Sequence, residues 1–240
     1  MKMKNQISRF LILCSVGAMV PSTVIAAEEQ LIWGVQVEQF ENRFTGDAQS
    51  DVMAWDGDAL IGTDELKFVV RSEGEFQTRS ERLETMETQL RLQKPISTFF
   101  DAVAGVRFDT PDGRDRVHGV VGLHGLAPQW FEVDADLFVS DRPSARFEVE
   151  YEALITNYLI LTPSIELDVP LRDNLDAEVK AWGPKLEVGA RLSYDLVDRS
   201  VAPYIGVHYE RVFGDTLDLR QEEGEEGDGL FFVAGLRLMF

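Results

Sequence analysis

Cysteine is almost absent from this chain: 240 residues contain one, Cys14. That excludes a disulfide framework and any cluster of thiolate metal ligands. Histidine is scarce too, with three in all, and basic side chains are outnumbered, 23 Lys and Arg against 42 Asp and Glu. The net charge of −19 argues against nucleic acid and anionic surfaces as partners and is compatible with cations. Past the N-terminus no run of 18 apolar residues occurs, so a helical membrane span is excluded. Neither G-x-S-x-G nor H-E-x-x-H occurs, and no enzymatic activity is expected.

What is present begins with MKMKNQISRF, which carries Lys2, Lys4 and Arg9, and continues into the apolar run FLILCSVGAMV. The small residues Ala26 and Ala27 follow. This charged–apolar–small order reads as a secretory signal peptide over residues 1–26, leaving a mature chain of 27–240. Cleavage would remove Cys14 and three of the basic residues, making the remainder still more acidic.

The mature sequence is dominated by alternation. In WFEVDADLFVS, residues 130–140, Phe131, Val133, Ala135, Leu137 and Val139 share one face, while Glu132, Asp134, Asp136 and Ser140 share the other. Only Phe138 breaks the pattern. Similar period-2 segments cover 31–41, 51–61, 66–77, 82–93, 99–109, 116–126, 144–154, 158–169, 184–194, 202–213 and 230–240. No convincing helix is read after residue 28. Twelve segments of roughly 10–12 residues suit strands that cross a bilayer at a tilt. Odd-to-even connections are long and even-to-odd ones are mostly tight turns, as in outer-membrane barrels. The chain also ends on Phe240, with apolar residues at every second position back to Phe232, resembling the signal read by the bacterial barrel-insertion machinery. The expected fold is an all-β, antiparallel transmembrane β-barrel of about 12 strands in the outer membrane of a Gram-negative cell. Lipid would take the apolar face and the enclosed lumen the charged one.

The lumenal face supplies the candidate site. Glu132, Asp134, Asp136, Glu148 and Glu150 fall on it, with Glu152, Glu166 and Asp168 beside them. His118, His124 and His208 all fall there as well. Carboxylates and imidazoles are ligands for divalent ions. His118 and His124 are six positions apart on one strand, roughly 20 Å, and cannot share one ion. Two arrangements suit such a lumen: a packed interior in which acids pair with Lys67, Arg71, Arg91, Arg107, Lys185 and Arg191, or an open conduit that favours cations. The acid-rich segment 214–229 reads as a solvated loop.

The segments VVGLHGLAPQWFEVDADLFVS (120–140), ARFEVEYEALITNYLILTPSIEL (145–167), APYIGVHYERVFGDTLD (202–218) and FVAGLRLMF (232–240) resemble the copper resistance protein B family of outer-membrane proteins. AWDGDALIGTDELKFVVRSEGEF (54–76) and FFDAVAGVRFD (99–109) fit it too. The resemblance implies copper ion as the bound species and a role in copper resistance at the outer membrane. The alternative is a general cation-selective or purely structural barrel. The implied partners are outer-membrane lipids, the barrel-insertion machinery and a periplasmic copper-binding protein. Family members usually carry a Met- and His-rich stretch before the barrel. Here only a few residues separate Ala27 from the first strand, so copper chemistry falls to the barrel interior or to a partner.

Overall fold

The computed structural model describes residues 30–45, 52–110, 116–174, 179–197, 199–224 and 226–240. The expected signal peptide, 1–26, lies outside the described residues. Thirteen strand segments follow one another: β1 (Ile32–Phe44), β2 (Val52–Gly62), β3 (Lys67–Gln77), β4 (Arg82–Pro95), β5 (Phe100–Asp109), β6 (Arg116–Ala127), β7 (Phe131–Val139), β8 (Ser144–Tyr151), β9 (Ala153–Leu154), β10 (Leu159–Pro170), β11 (Lys185–Tyr194), β12 (Val201–Val212) and β13 (Asp228–Met239). Each pairs antiparallel with its neighbour. β13 also pairs with β1, and β10 with β11, so the sheet closes on itself. β8 and β9 both pair with β10 and are two pieces of one stave, interrupted at Glu152. The result is a closed barrel of twelve staves, which leaves no unpaired edge.

The barrel is greasy outside and charged inside. Val117, Val121 and Leu123 of β6, Leu137 and Val139 of β7, and Ile205 and Val207 of β12 are exposed on the outer wall. On β4 the buried residues are Glu87, Gln89, Arg91 and Gln93. A water-soluble sandwich would reverse both faces. Closed hydrogen bonding with an apolar exterior is the arrangement that a bilayer requires. Aromatic residues gather at the two rims. Trp33, Phe99, Trp130, Tyr158 and Phe240 are exposed at the short-turn end, and Trp182 and Phe232 at the other. Rings at these depths place an apolar body in lipid and a polar edge near water. On the outer wall Trp55 Nε1 donates to Ser72 Oγ at 3.4 Å, so the indole N–H is not left bare in hydrocarbon.

Glycine is needed for packing at several close approaches. Tyr204 of β12 covers Gly235, its direct partner on β13, where an added Cβ would stand 2.5 Å from the Phe40 carbonyl oxygen and 2.7 Å from the Tyr204 ring. Gly122 of β6 faces Asp136 in the same way, and a Cβ there would collide with the carboxylate.

Four local features depart from the simple alternation. A β-bulge in β1 lets the register slip between Val37 and Gln39, and parity flips there. Phe40 and Phe44 point out, and Glu41 and Arg43 point in. The second is α1, Asp215–Glu223, a helix within the segment expected to be a solvated loop. Its turns have no apolar stripe, only Leu217 and Leu219, so periodicity gave no signal. It forms because Asp215 and Asp218 sit in its first turn, where carboxylates oppose the helix dipole, and Gly224 ends it in the left-handed conformation at φ 84. Thr216 is 1 % exposed and anchors the helix to the β10–β11 connection: its Oγ1 accepts from the Lys180 N–H at 3.0 Å. The third is a 3-10 turn at Pro128–Trp130 between β6 and β7, with Gln129 at φ 70. The fourth is Phe138, which points into the lumen and is fully buried.

Candidate functional site

Phe138 shows how the lumen is built. Its ring carries the Arg107 guanidinium 4.3 Å from the centroid and that of Arg146 at 5.6 Å, and it packs with Val103 and Val120. Cation–π contact repays part of the cost of burying two guanidiniums. Arg146 of β8 then crosses the lumen. It bonds to Glu73 of β3, reaches Glu87 of β4 at 3.2 Å, and is held by Glu166 at 3.0 Å and Asp168 at 3.2 Å on β10. Arg107 adds a 2.7 Å contact to Glu87 and a 2.6 Å contact to Asp109.

Toward the long connections the lumen opens into a cavity of about 410 Å³. Arg43, Arg107, Arg146 and Lys185 line it among Asp56, Glu73, Glu166 and Glu187, with His118, His208 and Arg220 of α1. Charges of both signs are therefore interleaved. Below the cavity the barrel is packed. Arg91, Gln89, Phe138, Val103 and Val120 are at most 2 % exposed. Across the same waist Arg191 of β11 binds Glu41 of β1 through two 2.8 Å contacts, and Tyr204 donates to Glu41 at 2.9 Å. Beside Arg191, Glu150 and Arg237 a void of only about 20 Å³ remains, roughly the room for one water. The described residues thus form an open chamber lined by both signs of charge above an ion-paired waist, and the waist is the packed interior of paired acids and bases.

The anticipated site residues divide along this line. His118 and His208 line the chamber, with Glu148 on its wall. His118 Nε2 stands 3.2 Å from Asp109, and His208 Nε2 stands 3.2 Å from Glu187. The other residues lie lower. Asp136 accepts two 2.9 Å bonds from Arg91. Asp134 is held by Arg71 at 3.3 Å and by His124 Nδ1 at 3.2 Å. Glu132, half exposed at the short-turn mouth, is 4.0 Å from His124. Asp134 and Asp136 are counter-ions of the waist, while Glu148 on the chamber wall stands 4.0 Å from Arg71. Among the described residues no group of three or more His, Cys, Asp or Glu side chains is placed to hold a metal ion.

Sequence reasoning missed Asp109 and Glu187 as histidine partners, because cross-strand register is not visible in one strand. It also missed Arg43, because the bulge reverses the parity of β1. The lumen is for that reason less one-sidedly acidic than strands seven to nine suggest.

The model of the family described as copper resistance protein B precursor matches residues 31–240, the full extent of the barrel. The chain belongs to the copper resistance protein B family. Two curated relatives agree. Copper resistance protein B of Escherichia coli is 36 % identical over 192 residues, and the copper resistance protein B homolog of Pseudomonas syringae pv. tomato is 34 % identical over 190. Each alignment covers 78 % of this chain, which spans 63–64 % of the length of these relatives. Among solved structures, the NanC porin superposes with a TM-score of 0.52 at 11 % identity, covering 86 % of this chain and 99 % of that one. That likeness concerns the fold alone. Together with the inverted barrel, these findings place the protein in a membrane of the cell envelope.

Proposed function

We propose that this protein is an outer-membrane barrel of a Gram-negative cell that handles copper ions and contributes to copper resistance. The observation that carries the proposal is the family match over the barrel itself, residues 31–240. The chamber supports it, since imidazole and carboxylate oxygen are ligands that divalent copper accepts. Copper is here the cargo, and no catalytic step belongs to this reading. The partners that fit it are the surrounding outer-membrane lipids, the barrel-insertion machinery that would place the strands, and a periplasmic copper-binding protein at the short-turn mouth. A general cation-selective pore fits less well, because the waist is ion-paired and the chamber carries both signs of charge.

The test is genetic. Deleting the gene should lower copper tolerance, and the plasmid-borne chain should restore it. Unchanged tolerance after deletion would remove the copper role. Titrating the refolded barrel with Cu(II), Cu(I), Zn(II) and Ca(II) should rank Cu(II) first.

A further inference from the structure

We infer that the long-connection mouth of the chamber is a binding site for a small multivalent oxyanion, held by a collar of four arginines. The site goes beyond the copper reading and does not depend on it.

The collar comes from the connections. Arg116 opens β6 at the end of the β5–β6 connection, Arg142 lies between β7 and β8, Arg172 lies between β10 and β11, and Arg220 sits on α1 between β12 and β13. Four successive long connections thus each place one arginine on the chamber lining. Arginine presents a planar fork of donors that matches the oxygens of carboxylate and phosphate. Forks from four connections can grip more than one charged group of the same molecule.

The connections that carry the collar are tied to one another. Arg142 Nη1 donates to Asn174 Oδ1, and Arg172 Nη1 donates to the Asp141 carbonyl oxygen at 3.2 Å, so the β7–β8 and β10–β11 connections are stitched in both directions. Thr216 ties α1 to the same β10–β11 connection, accepting from the Lys180 N–H at 3.0 Å and donating to the Gly183 carbonyl oxygen at 3.3 Å. A collar positioned in advance loses little freedom when a ligand arrives. Among the described residues neither Arg172 nor Arg220 forms an ion pair, although α1 itself carries Asp215, Asp218 and Glu222. Arg220 Nε is buried and has no hydrogen-bond partner. Buried donors are normally bonded, and a guanidinium can be satisfied only by an acceptor.

The floor fixes the depth at which an anion stops. There Arg146 meets Glu73, Glu87, Glu166 and Asp168, with Arg107 beside it on Glu87. Four carboxylates against two guanidiniums repel an anion, which therefore stays at the collar. The chain as a whole carries −19, but solvated charges more than about 8 Å away are largely screened at physiological salt, and forks in direct contact dominate. The collar faces the lumen, not the bilayer, so the ligand comes from solution and not from a lipid headgroup.

The experiment is isothermal titration of the full barrel, refolded in non-ionic detergent in copper-free buffer, with sodium citrate as the multivalent probe and sodium acetate as the monovalent control. Citrate should bind wild type, and acetate should bind at least about tenfold more weakly. Arg172→Gln and Arg220→Gln should each weaken citrate about tenfold, the loss of one charge-assisted contact. The double variant should lose about a hundredfold. Arg199→Gln, at a short-turn connection on the opposite end of the barrel, should bind as wild type does. Heat-dependent electrophoretic mobility verifies folding of every variant, and if Arg220→Gln does not fold, Arg172→Gln on a separate connection carries the test. Nanodiscs of phosphatidylcholine and of phosphatidylglycerol, at physiological ionic strength, should give the same citrate affinity. Loss of citrate binding in phosphatidylglycerol alone would hand the collar to lipid headgroups and overturn the assignment to a soluble anion. So would a wild type that does not bind citrate, acetate that binds as tightly, or unchanged affinity in both single variants.

Discussion

Arg91 is the most deeply buried charge of the waist, with no exposed surface. Its guanidinium meets both oxygens of Asp136 at 2.9 Å and approaches Asp134 at 3.5 Å. Arg91→Met fills a similar volume but removes the charge. Asp134 keeps Arg71 and His124. Asp136, 6 % exposed, has no other ion pair among the described residues. Stranding one member of a buried pair costs about 3–5 kcal/mol. The single variant should lose that much in urea-induced unfolding of the barrel in lipid vesicles. Adding Asp136→Asn removes the stranded charge and leaves only an incompletely bonded amide, a cost of about 1–3 kcal/mol. The double variant should therefore be more stable than Arg91→Met alone, by roughly 2 kcal/mol. A single variant within about 1 kcal/mol of wild type, or a double variant less stable than the single, would refute the view that the waist is held by paired charges.

Two further outcomes follow from packing in the same region. Gly235→Ala should displace the Tyr204 ring and cost about 1–3 kcal/mol by overpacking, whereas Tyr204→Phe should lose only its bond to Glu41, about 1.5–3 kcal/mol, without moving the ring; a crystal structure of each variant checks the ring position. Phe138→Ala should cost about 3–5 kcal/mol in the same unfolding assay and raise single-channel conductance in planar bilayers, since it removes the apolar floor beneath Arg107 and Arg146.

Much of this barrel was legible in the chain, because alternation carries its message residue by residue. The register of each stave is enforced by the cost of turning charges toward hydrocarbon, roughly 2–4 kcal/mol for Arg or Lys near the midplane. Leu137 out and Asp136 in is a choice that physics makes strongly, and the sequence displays it. What alternation cannot show is anything that breaks it. The bulge at Val37–Gln39 adds one residue and reverses the parity of Glu41 and Arg43, hiding half of the Arg191–Glu41 contact. The α1 helix has no periodic apolar face to announce it. Phe138, the one flaw in its strand, proved to be a ring that two guanidiniums share. The site was legible in composition but not in pairing. All three histidines were placed inward correctly, yet their partners come from adjacent staves or, for His124, from across a turn.

The account rests on which face of each stave meets lipid, and site-directed spin labelling at Phe147, Glu148 and Val149 of β8 tests it most directly. Labels at 147 and 149 should collide freely with oxygen dissolved in the bilayer and be shielded from a water-soluble relaxation agent. A label at 148 should show neither lipid contact nor oxygen accessibility of that kind. Water accessibility at 147 and 149, with lipid contact at 148, would turn the barrel inside out and contradict the account.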